Sequence, residues 1–154
     1  MSVIIRPVQK KDKEKWFQLW SGKEDSYLEF YKALDKVSDE TSEYTWSRFF
    51  DDTVPIYSIV AEVEGEVIGF ANYLTHKNTW TVEDALYLND LYVSNKNRLK
   101  GVGRLLIEEV YKQADALNCN KCYWATSFDN YRAQLLYTKV GVDASKKIYL
   151  RPPR

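Results

Sequence analysis

Cysteine, methionine and histidine are scarce in this chain: two, one and one among 154 residues. The thiols stand as Cys119-x-x-Cys122, and with only His76 to join them they fall short of the four ligands of a structural zinc site. A thioredoxin-type pair would lead into a helix. Cys122 instead opens an extended run, Cys122-Tyr-Trp-Ala-Thr126, so both are expected to be reduced structural thiols. That points to a reducing compartment, cytoplasmic or nuclear. Long apolar runs are also missing. No stretch approaches the roughly 18 apolar residues of a membrane span, and residues 1–10 alternate in character without the apolar centre of a secretory leader. No repeat, low-complexity tract or Pro/Gly/Ser-rich linker divides the chain, so one domain over 1–154 is expected. That length buries a core without disulfide or metal. An excess of either charge is absent too, with 22 basic and 22 acidic residues. This balance, with no nucleic-acid-binding motif, argues against a nucleic-acid binder.

Aromatic residues, by contrast, are plentiful: 12 Tyr, 5 Trp and 6 Phe. They suit a thick aromatic core or the walls of a ligand site. Charge is segregated although it sums to zero. From Lys23 to Glu66 there are 12 acidic and 4 basic residues, and from Leu91 to Arg154 there are 12 basic and 5 acidic. Such a split offers an anion to the second half and a cation to the first.

Periodicity predicts a first strand at Val3–Val8 and then a helix capped by Asp12 that carries Trp16, Phe17, Leu19 and Trp20. A further helix is expected near Ser42–Phe50. Two strands follow, Tyr57–Glu62 and Val67–Leu74, joined at a Glu64-Gly65 turn. A long strand, Ala85–Val93, is apolar on both faces and so central. Leu106, Ile107, Val110, Ala114 and Leu117 are spaced as a helix. Cys122–Thr126 reads as a strand, Asn130 caps a short helix with Ala133, Leu136 and Tyr137 inward, Gly141 stops it, and Ile148–Leu150 makes a last strand. The order is β-α-α-β-β-β-α-β-α-β, a mixed α/β (α+β) sheet with helices on both faces.

The segment richest in chemistry runs from Asp90 to Ile107. A central strand ends, a basic loop with Gly101 and Gly103 follows, and an amphipathic helix begins at once. Unpaired N–H groups and the positive end of the helix dipole meet there, with Arg98, Lys100 and Arg104 nearby, which makes a cradle for a pyrophosphate. It is neither a Walker loop, which needs G-x-x-x-x-G-K-[ST], nor a Rossmann turn, because Leu106 stands where the third small residue belongs.

Arg98-Leu-Lys-Gly-Val-Gly103 resembles the Q/R-x-x-G-x-G/A signature of the GCN5-related N-acetyltransferase (GNAT) superfamily. Asn130-Tyr-Arg-Ala-Gln-Leu-Leu-Tyr-Thr-Lys-Val-Gly141 resembles that family's downstream N-x-x-A-x-x-L-Y-x-x-x-G motif. The likeness covers essentially the whole chain. In Leu88-Asn-Asp-Leu-Tyr-Val93 and His76-Lys-Asn-Thr-Trp80 it is closest to the yeast branch of histone, polyamine and D-amino-acid acetyltransferases. The resemblance implies a GNAT fold, with a mostly antiparallel mixed sheet of six to seven strands flanked by about four helices, and acetyl-CoA as cofactor. Leu91, Tyr92 and Val93 would meet the pantetheine arm with their backbone. Arg98, Leu99, Lys100, Gly101, Val102, Gly103 and Arg104 would hold the pyrophosphate. Asn130 would bond the cofactor arm, and Tyr137 would be the general acid. It also implies a homodimer through the C-terminal strands.

The chemistry suits that tyrosine. Acetyl transfer from a thioester to an amine expels a thiolate, and a phenol with a pKa of about 10 can donate to a sulfur whose thiol pKa is about 8.5. The base is more open. Many relatives carry a glutamate where this chain has Asn89, and an amide takes no proton. Asp90 is the adjacent carboxylate and the assigned catalytic candidate, although in a regular strand it points to the opposite face. Glu83, Asp84, His76 and a water chain are alternatives. Cys122 has no neighbouring histidine, so direct attack in a ternary complex is expected rather than an acetyl-cysteine. The acidic and aromatic set Glu24, Asp25, Tyr27, Glu29, Phe30, Tyr31, Asp39, Glu40, Tyr44 and Trp46 suits a cationic primary amine: a histone or protein lysine, a polyamine or a D-amino acid. A non-catalytic acetyl-CoA-binding or sensing module is the alternative; it would keep residues 98–104 and have no need of Tyr137.

Overall fold

The structure, a computed structural model, describes residues 2–153, and for Leu99 and Lys100 the backbone alone. Five strands form one sheet in the order β1 (Val3–Pro7), β2 (Ile56–Val63), β3 (Glu66–His76), β4 (Ala85–Val93) and β5 (Lys121–Tyr123). The first four are antiparallel and β4–β5 is parallel, the connection running through a helix. The helices are α1 (Lys13–Ser21), α2 (Tyr27–Phe30), α3 (Asp39–Arg48), α4 (Val102–Ala116) and α5 (Tyr131–Val140).

Each face of the sheet carries its own core. On one side α4 lays Val102, Leu106, Ile107, Val110 and Ala114 against Ile59, Ala61, Ile68, Ala71, Leu86 and Leu88. Each of the larger side chains contributes about 2 kcal/mol of burial. On the other, α1 to α3 build an aromatic block in which Trp16 has no exposure and touches Phe17, Trp20, Trp46, Phe49 and Phe70 with ring centroids 5.4–5.5 Å apart. The polar edges of the buried indoles are satisfied: Trp16 donates to Ser58 at 3.3 Å and Trp20 to Ser42 at 3.0 Å. The abundant aromatics are therefore chiefly core, Trp46 included.

Three expectations are corrected. The sheet among the described residues has five strands rather than six or seven. Ile148–Leu150 is not a strand: among the described residues the chain beyond α5 is exposed and pairs with no strand, leaving Val142, Ile148, Tyr149 and Leu150 in solvent. Asp12 precedes α1 but does not cap it with its side chain. Burial pushes that carboxyl up, but the Arg6 guanidinium and the Gln9 amide outweigh this and hold it below the usual carboxylate range. Arg6 grips Asp12 at 2.8 and 2.9 Å and also reaches Glu62, tying β1 to β2 and to the entry of α1.

Candidate active site

The site begins with strand length. β3 covers the whole of β4 on one side, from Gly69↔Val93 to His76↔Ala85. On its other side β4 has a partner only at Ala85, Leu86 and Tyr87, where three-residue β5 ends. From Leu88 to Val93 that edge of β4 has no neighbouring strand, and its outward peptide groups, the Val93 carbonyl excepted, are free to pair with an extended, amide-bearing ligand.

At the end of this open edge β4 passes through a 3-10 turn, Asn95–Lys100, into α4. Gly101 caps α4 in the left-handed conformation, φ 73°, which an L side chain adopts only with strain. It offers no side-chain cap, and no acidic residue stands in the first turn. The first helical bond is Leu105 N–H to the Gly101 carbonyl, so the amides of Val102, Gly103 and Arg104 have no intrahelical acceptor. Gly103 and Gly141 act by close approach: a β-carbon would stand 3.3 Å from Leu136 at the first and 2.9 Å from the Trp124 ring at the second. Gly141 has an extended rather than left-handed backbone.

The described side chains of this loop make contacts within the protein. Arg98 turns back: its Nε donates to the Val93 carbonyl at 2.9 Å, and its guanidinium lies 5.0 Å from the Tyr92 ring and 5.4 Å from that of Phe30. Val93 therefore has its carbonyl engaged. Arg104 lies along α4 with Nε 3.8 Å from Glu108. The Val102 side chain is buried in the core. The groups at the start of α4 left open to an anion are therefore the backbone amides. The side chains of Leu99 and Lys100, also assigned to it, lie outside the described residues. Leu91 packs toward α4, and Tyr92 donates its hydroxyl to Asp25 at 2.7 Å. Asp25, expected to face an amine, instead accepts from Tyr92, Ser94 and the Asn95 amide and so fastens the end of β4.

α5 packs beside the start of α4, where Leu136 approaches Gly103. Asn130 caps α5 by accepting from Ala133 at 3.4 Å. Tyr137 packs edge-on against Trp124, centroids 5.5 Å apart. Burial, and then the proximity of Tyr31, push its phenol up to about 12. Burial pushes the phenol of Tyr31 up, and this residue, just past α2, lies near Asn130, Asp90 and Arg98. It thus stands among the residues of both walls.

The face of β4 toward α1–α3 holds the other half of the chemistry. Asn72 of β3 pairs with Asp90, but its neighbour Tyr73 pairs with Leu88, so Asn89 is an extra residue on β4. This bulge resets the alternation. Asn89 and Asp90, expected on opposite faces, both line one cavity of about 180 Å³, together with Trp20, Thr45, Arg48, Phe49, Asn72 and Tyr73. The Asp90 carboxyl is raised, because burial outweighs the hydrogen bonds from Asn72 (3.1 Å) and Tyr27. His76, an alternative base, bonds Tyr123 at 2.7 Å and lines a different cavity. Neither Glu83 nor Asp84 lines the Asp90 cavity. Cys122 is a poor nucleophile: burial, then Cys119 and Asp115, push its thiol up to about 11. The described residues hold no metal-binding cluster of His, Cys, Asp and Glu.

Known proteins with this arrangement point one way. Residues 16–142 match the acetyltransferase (GNAT) family. Over 151 residues the chain is 43% identical to the D-amino-acid N-acetyltransferase HPA3 of Saccharomyces cerevisiae, covering 97% of this chain and 90% of that one. It is 30% identical over 118 residues to the thialysine N-epsilon-acetyltransferase of Bos taurus, covering 70% and 69%. Among solved structures, the aminoglycoside N-acetyltransferase AAC(6')-Iy in complex with CoA shares the fold with a TM-score of 0.78 at 20% identity, covering 99% of this chain and 95% of that one. The chain belongs to the acetyltransferase (GNAT) family. It is an N-acetyltransferase, and acetyl-CoA is its cofactor.

The residues present fit that cofactor. The uncapped amides of Val102–Arg104 would hold its diphosphate, and the open edge of β4 would take its amide-bearing arm. The buried hydroxyl of Thr126, between β5 and α5, has no partner among the described residues. Bound there, acetyl-CoA supplies an activated acetyl thioester.

Proposed function

We propose that the enzyme acetylates a small primary amine, with a D-amino acid favoured over a polyamine or a histone or protein lysine, by direct attack of the amine in a ternary complex. The bulge at Asn89 carries this reading, because it turns Asp90 into the acceptor cavity. A carboxyl raised by burial accepts a proton near neutrality more readily than a solvated one. Asp90 therefore takes the proton of the incoming ammonium, directly or through water. Tyr137 on the opposite wall stays protonated across the working range and donates to the departing thiolate. Asn130 steadies the start of its helix.

The size of the cavity and the names of the relatives favour a small acceptor over a protein tail. The identity of those relatives also sets aside a non-catalytic sensing role. The exposed apolar segment around Ile148–Leu150 supports a homodimer, and the two free cysteines suit a cytoplasmic or nuclear location. The test is thiol release from acetyl-CoA with a panel of D- and L-amino acids, polyamines and histone-tail peptides. Turnover confined to the peptides would overturn the small-acceptor reading.

A further inference from the structure

The Asp90 cavity contains a cation that the transfer chemistry does not use. Arg48, at the end of α3, lines it beside Asn72, Asn89 and Asp90. One guanidinium nitrogen of Arg48 bonds the Thr45 hydroxyl at 3.0 Å, and the group lies 4.7 Å from the centre of the Tyr44 ring. Its Nε is buried with no partner, and no carboxylate pairs with it among the described residues. A buried guanidinium donor without an acceptor is costly and calls for an explanation. A second unpartnered group lines the same cavity. Asn72 donates its amide nitrogen to Asp90, which fixes the side chain's orientation because an ionised carboxylate only accepts, and the Asn72 Oδ1 is left buried and free.

We propose that Arg48 is the anchor for the acceptor's carboxylate, so that the enzyme selects amines that carry a carboxylate beside the reacting nitrogen. This rests on the acetyl-transfer reading above and extends it. The cavity offers two unlike ends to one small ligand. Arg48 presents to an anion a guanidinium that no carboxylate pairs with among the described residues. Asp90 and the Asn72 carbonyl oxygen accept from an ammonium group. A zwitterionic amino acid complements both ends at once. A polyamine brings a second cation toward Arg48, and such like-charge placement selects against it.

Kinetics with matched acceptors test this. A D-amino acid is compared with its carboxamide and with the amine that lacks the carboxyl group altogether, using wild type, Arg48→Gln and Arg48→Lys. In wild type, kcat/KM for the free acid is expected to exceed that for either analogue by about 10- to 100-fold, the range for loss of a charge-assisted contact. Arg48→Gln raises KM for the acid by a similar factor, leaves kcat within a few-fold, and leaves KM for the two analogues unchanged. Arg48→Lys restores part of the affinity. Equal use of acid, amide and amine by wild type overturns the anchor without any variant. So does an Arg48→Gln loss that falls equally on all three, because that is the mark of a structural role. Absence of transfer to every amine in the panel overturns the acetyl-transfer reading itself, a different outcome from transfer indifferent to the carboxylate.

Discussion

The Asn72 amide donates to the Asp90 carboxylate at 3.1 Å, across the one place where β4 carries a residue that β3 does not match. That bond holds a half-desolvated acid at the rim of the acceptor cavity, where its proton affinity is raised.

Replacement of Asp90 by Asn should separate activity from stability. Loss of a general base lowers kcat by about 10²–10³. A carboxyl whose folded pKa lies above its unfolded value binds more protons when folded. Its presence therefore costs stability increasingly as pH rises from the unfolded value through the folded one. The variant should thus melt higher near neutral pH, by about 3 °C for a gain of about 1 kcal/mol, and the difference should vanish in acid. An unchanged kcat with the same thermal gain would leave Asp90 a buried residue with no catalytic part. For wild type, the acidic limb of kcat/KM should sit above the ordinary carboxylate range.

Tyr137→Phe keeps the ring against Trp124 and removes the donor. Turnover should fall about 100-fold, with CoA affinity by calorimetry nearly unchanged. Because the phenol is raised to about 12, no alkaline limb from this residue should appear below pH 10 in wild type. Full turnover in the variant would remove the assigned acid.

Gly101→Ala tests the cradle through its backbone. The left-handed residue has open space around it, so an added methyl meets nothing and acts only through φ, 73° here. The strain is about 1–2 kcal/mol. It should appear as a lower melting temperature and a weaker Kd for CoA, with KM for the amine unaffected.

Asp25→Asn probes the fastening of the strand end. Burial pushes this carboxyl up, but hydrogen bonds from Ser94, Asn95 and Tyr92 prevail and hold it below the usual range. Its stabilisation is present above the unfolded pKa of about 4 and is lost as pH falls through the lower folded value. The variant should lose about 2 kcal/mol at neutral pH, and denaturant melts should show the gap to wild type closing in acid. A CoA affinity reduced alongside stability would show that the end of β4 is part of the cofactor site.

Sequence alone determined the parts that rest on local spacing. The 3.6-residue period of Leu106, Ile107, Val110 and Ala114 specifies α4, and Gly101 at its start specifies a left-handed cap and open amides. Alternation specifies β2 and β3, and Asn130 specifies the start of α5. Only the tertiary structure decided the rest, because each remaining item depends on two segments meeting. Whether Asn89 and Asp90 share a face depends on the register against β3, which a single strand's pattern does not contain. Whether Arg98 faces a phosphate or its own strand depends on Phe30 and Tyr92 being there to stack on it. Ile148–Leu150 has strand character but pairs with none of the sheet's edges among the described residues. Arg48 drew no reading from the sequence, because only packing encloses its Nε in the cavity that Asp90 and Asn72 also line. Desolvation, which sets both the acid's affinity and the arginine's need for an anion, is a property of what surrounds a group in space and is not encoded in its neighbours along the chain.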